Sequence, residues 1–150
     1  MIKIMFVCHG NICRSTMSEF VMREIVRQSG LSAEITCASS ATSYEEIGND
    51  THPGTKRMLT ENNIPFTKRG AVHLEKSDFP KYDYFIGMDD ANIRNMKKIL
   101  GTSDKIYKLL SFAGETRDIS DPWYTGNFEQ TYKDVLSGCT ALLEELKKEI

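Results

Sequence analysis

The segment Cys8-His9-Gly10-Asn11-Ile12-Cys13-Arg14-Ser15 sets a cysteine five residues ahead of an arginine and a serine. A loop of this length that curls into a helix N-terminus turns successive backbone N–H groups inward as an anion nest. Gly10 and Asn11 are residue types that tolerate the left-handed backbone such a curl requires. Arg14 adds a planar fork of donors that fits two phosphoryl oxygens at once. Nest, helix dipole and guanidinium converge on one spot, so Cys8 is expected to ionise below the ~8.5 of a free thiol. Ser15 can donate a hydroxyl hydrogen bond to that thiolate. A thiolate beneath a phosphate-shaped cradle is a nucleophile for phosphorus. A lone cysteine at a strand end is more often a small buried hydrophobe. Arginine and serine at this spacing tip the balance toward chemistry.

Phosphoryl transfer to sulfur needs an acid for the departing oxygen. The candidate is Asp121, in Asp121-Pro122-Trp123-Tyr124-Thr125-Gly126. Taken alone, Asp-Pro is usually a turn initiator. Paired with the cysteine loop, Asp121 would protonate the leaving oxygen, then take a proton from the water that hydrolyses the cysteinyl phosphate. Pro122 stiffens the turn, and Trp123 and Tyr124 could wall a slot for an aromatic leaving group.

Both groups need a scaffold, and the chain alternates strand-like and helix-like segments. Residues 2–7 form a short apolar run rich in β-formers, and Met17, Phe20, Val21 and Ile25 then recur at helical spacing up to Gly30. Residues 35–38 predict a second strand, 39–53 a polar loop and 55–62 a short helix. A third strand is expected over 82–88, a helix over 91–100 stopped by Gly101, and a fourth strand over 105–109. A polar stretch, 111–126, leads to a last helix whose stripe is Val135, Cys139, Leu142, Leu143, Leu146 and Ile150. Such alternation implies an α/β domain: a parallel sheet with helices on both faces and the phosphate-binding loop after strand 1. Ligands of such sheets collect at the carboxyl ends of the strands. That directs attention to Val7-Cys8, Ser39-Ser40, Met88-Asp89 and the loop after Leu109.

Composition narrows the classes. At 150 residues, 40% hydrophobic, the chain is expected to fold as one domain over residues 1–150 without disulfide or metal staples. Nineteen Lys and Arg against 21 Asp and Glu give a net charge of −2, which argues against a nucleic-acid partner held by a basic face. No apolar run approaches the ~20 residues of a membrane span. Residues 1–7 are too short for a secretory signal, so a cytoplasmic location is expected. Cys8, Cys13, Cys37 and Cys139 are too sparse for a disulfide framework. Cys37 and Cys139 read as core. His9, His52 and His73 have no spacing that suggests a site, and surface positions are expected for them.

The segment Val7 to Ser15, joined to the distant Asp121-Pro122-Trp123-Tyr124, strongly resembles the low-molecular-weight protein tyrosine phosphatases. The resemblance extends over essentially the whole chain. Ser39-Ser40-Ala41-Thr42-Ser43 with Ile47-Gly48 looks like that family's second loop, and Met88-Asp89 with Asn92 like the end of its third strand. It implies a four-stranded parallel sheet and metal-free, cofactor-free hydrolysis of phosphotyrosine proteins or small aryl phosphates through phosphocysteine. Catalysis would fall to Cys8, Arg14 and Asp121. Substrate would meet His9, Gly10, Asn11, Ile12, Cys13, Ser15, Trp123 and Tyr124. Asn11 and Ser39 would brace the loop and Ser15 would assist the thiolate. Inorganic phosphate would be both product and competitive inhibitor. Cys13 either faces the core or captures an oxidised Cys8 as a disulfide, giving reversible redox inactivation. The family commonly has Leu where His9 stands and Pro where Thr16 stands. His9 is expected to face solvent rather than to bias the site toward acidic partners. The family's His-x-Ala-Arg pattern in its third loop is not cleanly matched by Arg69-Gly70-Ala71-Val72-His73.

Rival readings make different demands. Zinc on Cys8 and Cys13 would need a second ligand pair, and Arg14 would repel the cation. A thiol-coupled arsenate reductase would need two further cysteines between Cys37 and Cys139, where none occurs. A phosphocysteine carrier would lack Arg14 and the acid. The phosphoarginine phosphatase branch carries Thr where Ile12 stands and a small residue where Tyr124 stands. A non-catalytic phosphate-binding module is the alternative from another class.

Overall fold

The computed structural model describes residues 1–150. Strand β1 (Ile2–Cys8) leads through helix α1 (Arg14–Gln28) to β2 (Ile35–Ala41). Helix α2 (Pro53–Glu61) and a 3₁₀ turn (Lys76–Lys81) precede β3 (Tyr84–Gly87). After α3 (Asp90–Leu100) and β4 (Ile106–Lys108) come a second 3₁₀ turn (Leu109–Ala113), the short α4 (Pro122–Thr125) and α5 (Phe128–Lys147). The four strands lie in the order β2-β1-β3-β4, all parallel. Parallel pairing brings their carboxyl ends, Cys8, Ala41, Gly87 and Lys108, to one edge of the sheet.

The alternation of β1 explains its central place. Ile4, Phe6 and Cys8 join one core cluster with Met17 and Phe20 of α1, Met58 and Leu59 of α2, and Val135 and Leu142 of α5. Met5 and Val7 point the other way, into a smaller cluster with Leu74, Phe85, Met96 and Leu100. Both faces are thus covered, and each large buried side chain contributes roughly 1.5–3 kcal/mol. Helix α5 approaches closely because Gly138 has no Cβ: one there would sit 2.5 Å from Leu109 Cγ.

Several boundaries differ from the sequence expectation. Strand β2 continues to Ala41, because Ser39 and Ser40 are buried rather than looped out. Strand β3 begins only at Tyr84; ahead of it, the Asp83 carboxylate and amide clasp the backbone of Lys3. The stripe of α5 ends at Leu146, and Ile150 lies exposed beyond the helix. Cys139 is in the core, whereas Cys37 is only partly covered. Nor are two of the histidines plain surface residues. His52 Nδ1 accepts from Gly54 N at the start of α2, and its ring stacks on Phe128. His73 stacks face to face on Tyr44. No helix is long and apolar enough to cross a membrane.

Candidate active site

Between β1 and α1 the chain turns around the Cys8 sulfur. Asn11 takes the left-handed conformation, with φ of 59°. Gly10 does not; its lack of a side chain matters for space, since a Cβ there would lie 3.3 Å from Glu46 Cγ. The loop carbonyls are tied to surrounding segments. Those of Cys8 and His9 accept from Thr42 N and Ser43 N, that of Asn11 from Arg69 Nη1, and that of Ile12 from His52 N. The Cys13 carbonyl accepts from Met17 N. Across a trans peptide the N–H points opposite to the C=O. Fastening carbonyls on the outside therefore turns amides to the inside, and the amides of residues 9–13 donate to no backbone or side-chain acceptor of the protein.

The side chains follow the same division. Ser15 Oγ accepts from Asn11 Nδ2 at 2.7 Å and lies 3.1 Å from Cys8 Sγ. With that acceptor position filled, the hydroxyl proton is free to turn toward a thiolate. Asn11 Oδ1 accepts from Arg69 Nη2 at 2.8 Å and from Val72 N at 3.2 Å. Ser39 does not touch the loop with its side chain: its hydroxyl donates to Glu19, and its carbonyl accepts from Arg69 at 3.5 Å. Burial lowers the affinity of Arg69 for its proton, partly offset by Glu19, Cys8 and Asp50.

Arg14 opens α1 and is almost wholly buried. Its Nη1 donates to Asp89 Oδ2 at 2.7 Å and to the Ile119 carbonyl at 2.8 Å; its Nη2 lies 3.4 Å from Asp121 Oδ2. Burial lowers the guanidinium pKa, but the neighbouring Cys8, Asp89 and Asp121 outweigh it and the net shift is upward. Both carboxylates are oriented by helix capping. Asp89 Oδ1 accepts from Asn92 N at 2.7 Å, and Asp121 Oδ1 from Trp123 N at 3.0 Å, which leaves each Oδ2 for Arg14. Ile119 N donates to the Met88 carbonyl, fastening the Asp121 segment to the end of β3.

These groups line a solvent-open cleft with about 490 Å³ of free space. Cys8, Ile12, Cys13 and Arg14 lie on its lining together with Asp121, Trp123, Tyr124, His9, Gly10, Glu45 and Glu46. Trp123 meets the edge of His52, with ring centroids 5.8 Å apart, while Tyr124 is mostly exposed. His9 faces outward as expected, but Nε2 sits 2.9 Å from Glu45 Oε2. Burial first, and the nearby Cys8 second, push the Cys13 thiol up to about 12. No three His, Cys, Asp or Glu side chains are grouped as a metal site.

A family model described as low molecular weight phosphotyrosine protein phosphatase matches residues 3–150. The chain belongs to that family. It is 36% identical over 153 residues to the low molecular weight protein-tyrosine-phosphatase YfkJ of Bacillus subtilis, covering 99% of this chain and 98% of that one. The crystal structure of YfkJ superposes with a TM-score of 0.95 over 99% of this chain and 96% of the other. The Staphylococcus aureus enzyme PtpA is 37% identical over 151 residues, 99% of this chain and 96% of its own. The structure of SP-PTP from Streptococcus pyogenes, 40% identical, aligns with a TM-score of 0.88 over 97% and 93% of the two chains. Membership makes the chain a phosphatase, with the four-stranded α/β fold that its relatives share.

Within this phosphatase fold, four groups near the cysteine loop escaped the motif. Arg69 braces Asn11 from the third loop, although that loop departs from the family pattern. Glu19 lies between Ser39 and Arg69, 4.0 Å from the guanidinium. Asp89 holds Arg14, and Glu46 lies against Gly10. Only Asp89 carried a signal, its position at a strand end with Asn92 three residues on.

Proposed function

We propose that this single-domain member of the family hydrolyses phosphotyrosine in proteins, and small aryl phosphates, in the cytoplasm and without metal or cofactor. The observation that carries the reading is the ring itself. Five successive amides with no acceptor in the protein follow Cys8 in one loop, and the cleft that Cys8 lines is also lined by a buried guanidinium. Donors fixed before substrate arrives stabilise the charge that develops on the phosphoryl oxygens and cost no reorganisation.

In this mechanism Cys8 Sγ attacks phosphorus as the bond to the aryl oxygen breaks. Asp121 gives its proton to that oxygen, so a neutral phenol departs rather than a phenolate. The Ser15 hydroxyl hydrogen-bonds the sulfur, both as nucleophile and as the leaving group of the second step. Water then attacks the cysteinyl phosphate while Asp121 accepts its proton, the S–P bond breaks, and inorganic phosphate is released. Phosphate binds the same ring and competes with substrate. Ile12 and the Trp123-Tyr124 pair suit a flat aryl group better than an alkyl one.

Redox control belongs to the same reading. Peroxide converts the Cys8 thiolate to a sulfenic acid with release of hydroxide; Cys13 sulfur then displaces the sulfenic hydroxyl, which leaves as water with the Cys13 thiol proton as the disulfide forms. Cys13, held protonated by its burial, does not compete with Cys8 as the nucleophile for phosphorus.

The test compares phosphotyrosine, phosphoserine and phosphoarginine peptides as substrates of the wild type and of Cys8→Ser. Turnover of the phosphotyrosine peptide alone, abolished in Cys8→Ser, is expected. Faster release from phosphoarginine overturns the substrate assignment. Phosphate binding without turnover of any of the three reduces the protein to a binding module.

A further inference from the structure

The entrance of the cleft differs in charge from its floor. On the floor the full positive charge comes from Arg14, only 2% exposed and held from behind by Asp89. At the mouth the charged lining residues are Glu45 and Glu46, and no lysine or second arginine lines the cleft. The one other basic group, His9, is engaged by Glu45 at 2.9 Å and presents no free cation to an incoming chain. The pairing shares the charge of Glu45 with His9, so Glu46, whose partner is the neutral Asn49 amide, carries the unshared negative charge of the rim.

The two glutamates are held where they stand. Glu46 Oε2 accepts from Asn49 Nδ2 at 2.6 Å, and its side chain packs on the open face of Gly10. The segment that carries them is tied to the cysteine loop through Ser43 N and the His9 carbonyl. Across the slot, Trp123 and Tyr124 form an uncharged wall.

We propose that Glu45 and Glu46 make this entrance select phosphotyrosine flanked by lysine or arginine and disfavour acidic flanks. The inference rests on the phosphotyrosine reading of the cleft. With the phosphate on the floor, residues adjacent to the phosphotyrosine, ~3.3 Å per residue in an extended peptide, must cross the mouth. A cation there meets the two carboxylates, and an acidic side chain is repelled by them; such surface fields govern encounter and partner choice.

The experiment measures kcat/KM for two phosphotyrosine peptides that differ only in lysine or glutamate on both sides, with p-nitrophenyl phosphate as a substrate that has no flanks. The lysine peptide is expected to be favoured by about three- to five-fold, the scale of exposed charge pairs. The E45Q/E46Q double variant, and separately 0.5 M salt on the wild type, should bring the ratio close to one. Because the ratio is taken within each protein, a rate change common to both peptides cancels. A wild-type ratio of one, a preference for the glutamate peptide, or a ratio that survives E45Q/E46Q overturns the inference. In each of those cases wild-type turnover of p-nitrophenyl phosphate would leave the phosphatase reading standing, and its loss would overturn both.

Discussion

The two halves of the cleft are built in opposite ways. The cysteine loop is sunk in the protein: Asn11, Arg14 and Ser15 are buried, and nearly every loop carbonyl and side chain has a fixed partner. The Asp121 segment closes the slot with side chains that stand in solvent, Trp123 at 56% and Tyr124 at 82% exposure. It is fastened chiefly through Ile119 and the Asp121 cap. Phosphate is the same in every substrate, whereas the group it leaves varies. Fixed partners are concentrated where the chemistry is constant, and the wall that meets the variable part stands in solvent.

Substitutions can break that contrast. Arg14→Lys should cost about 10²–10³ in kcat/KM, because an ammonium cannot span two phosphoryl oxygens. Circular dichroism would confirm a folded variant, and a loss under tenfold would mean that the amides alone suffice. Asp121→Ala should lower kcat about 10²-fold for phenyl phosphate and far less for a strongly acidic phenol. Equal losses for both substrates would instead assign Asp121 to positioning Arg14. Arg69→Met leaves the buried Asn11 amide oxygen short of a donor, so urea unfolding should report about 1–3 kcal/mol of lost stability. Arg69→Lys should recover part of it, and unchanged stability in Arg69→Met would show that the loop needs no brace from this side.

The smallest effect concerns acid. Asp50, which accepts from Arg69 N and from Lys56, is lowered from 3.8 to about 2, first by the Lys56 hydrogen bond and then by Arg69. A depressed carboxyl adds stability above its unfolded pKa and loses it as pH falls through the folded one, here between about 4 and 2. Lys56→Met should flatten that part of the pH dependence of the urea midpoint. If the slope is the same with and without Lys56, the pair contributes nothing to the brace.

How much of this was legible in the sequence depended on distance along the chain. Cys8, Arg14 and Ser15 share one loop, and periodicity marked the strand before it and the helix after it. Asp121 is legible only because phosphoryl transfer to sulfur needs a proton donor that the loop does not contain. Arg69 escaped because it lies 58 residues from Asn11 in a loop without the expected pattern. Ser39 and Ser40 looked like loop residues because polar side chains usually mark one. Glu19 and Arg69 serve Ser39 inside the fold, so β2 extends through both serines. The pairing of His9 with Glu45 was equally hidden, since 36 residues separate them.

The strand order has a consequence for synthesis. Strand β1 lies between β2 and β3, while Asp89 and Asp121 are supplied much later in the chain. In a nascent polypeptide Cys8 and Arg14 therefore leave the ribosome long before the carboxylates that contact Arg14. If Asp121 is the acid proposed above, a product cut short before it would carry the complete cysteine motif yet remain inert.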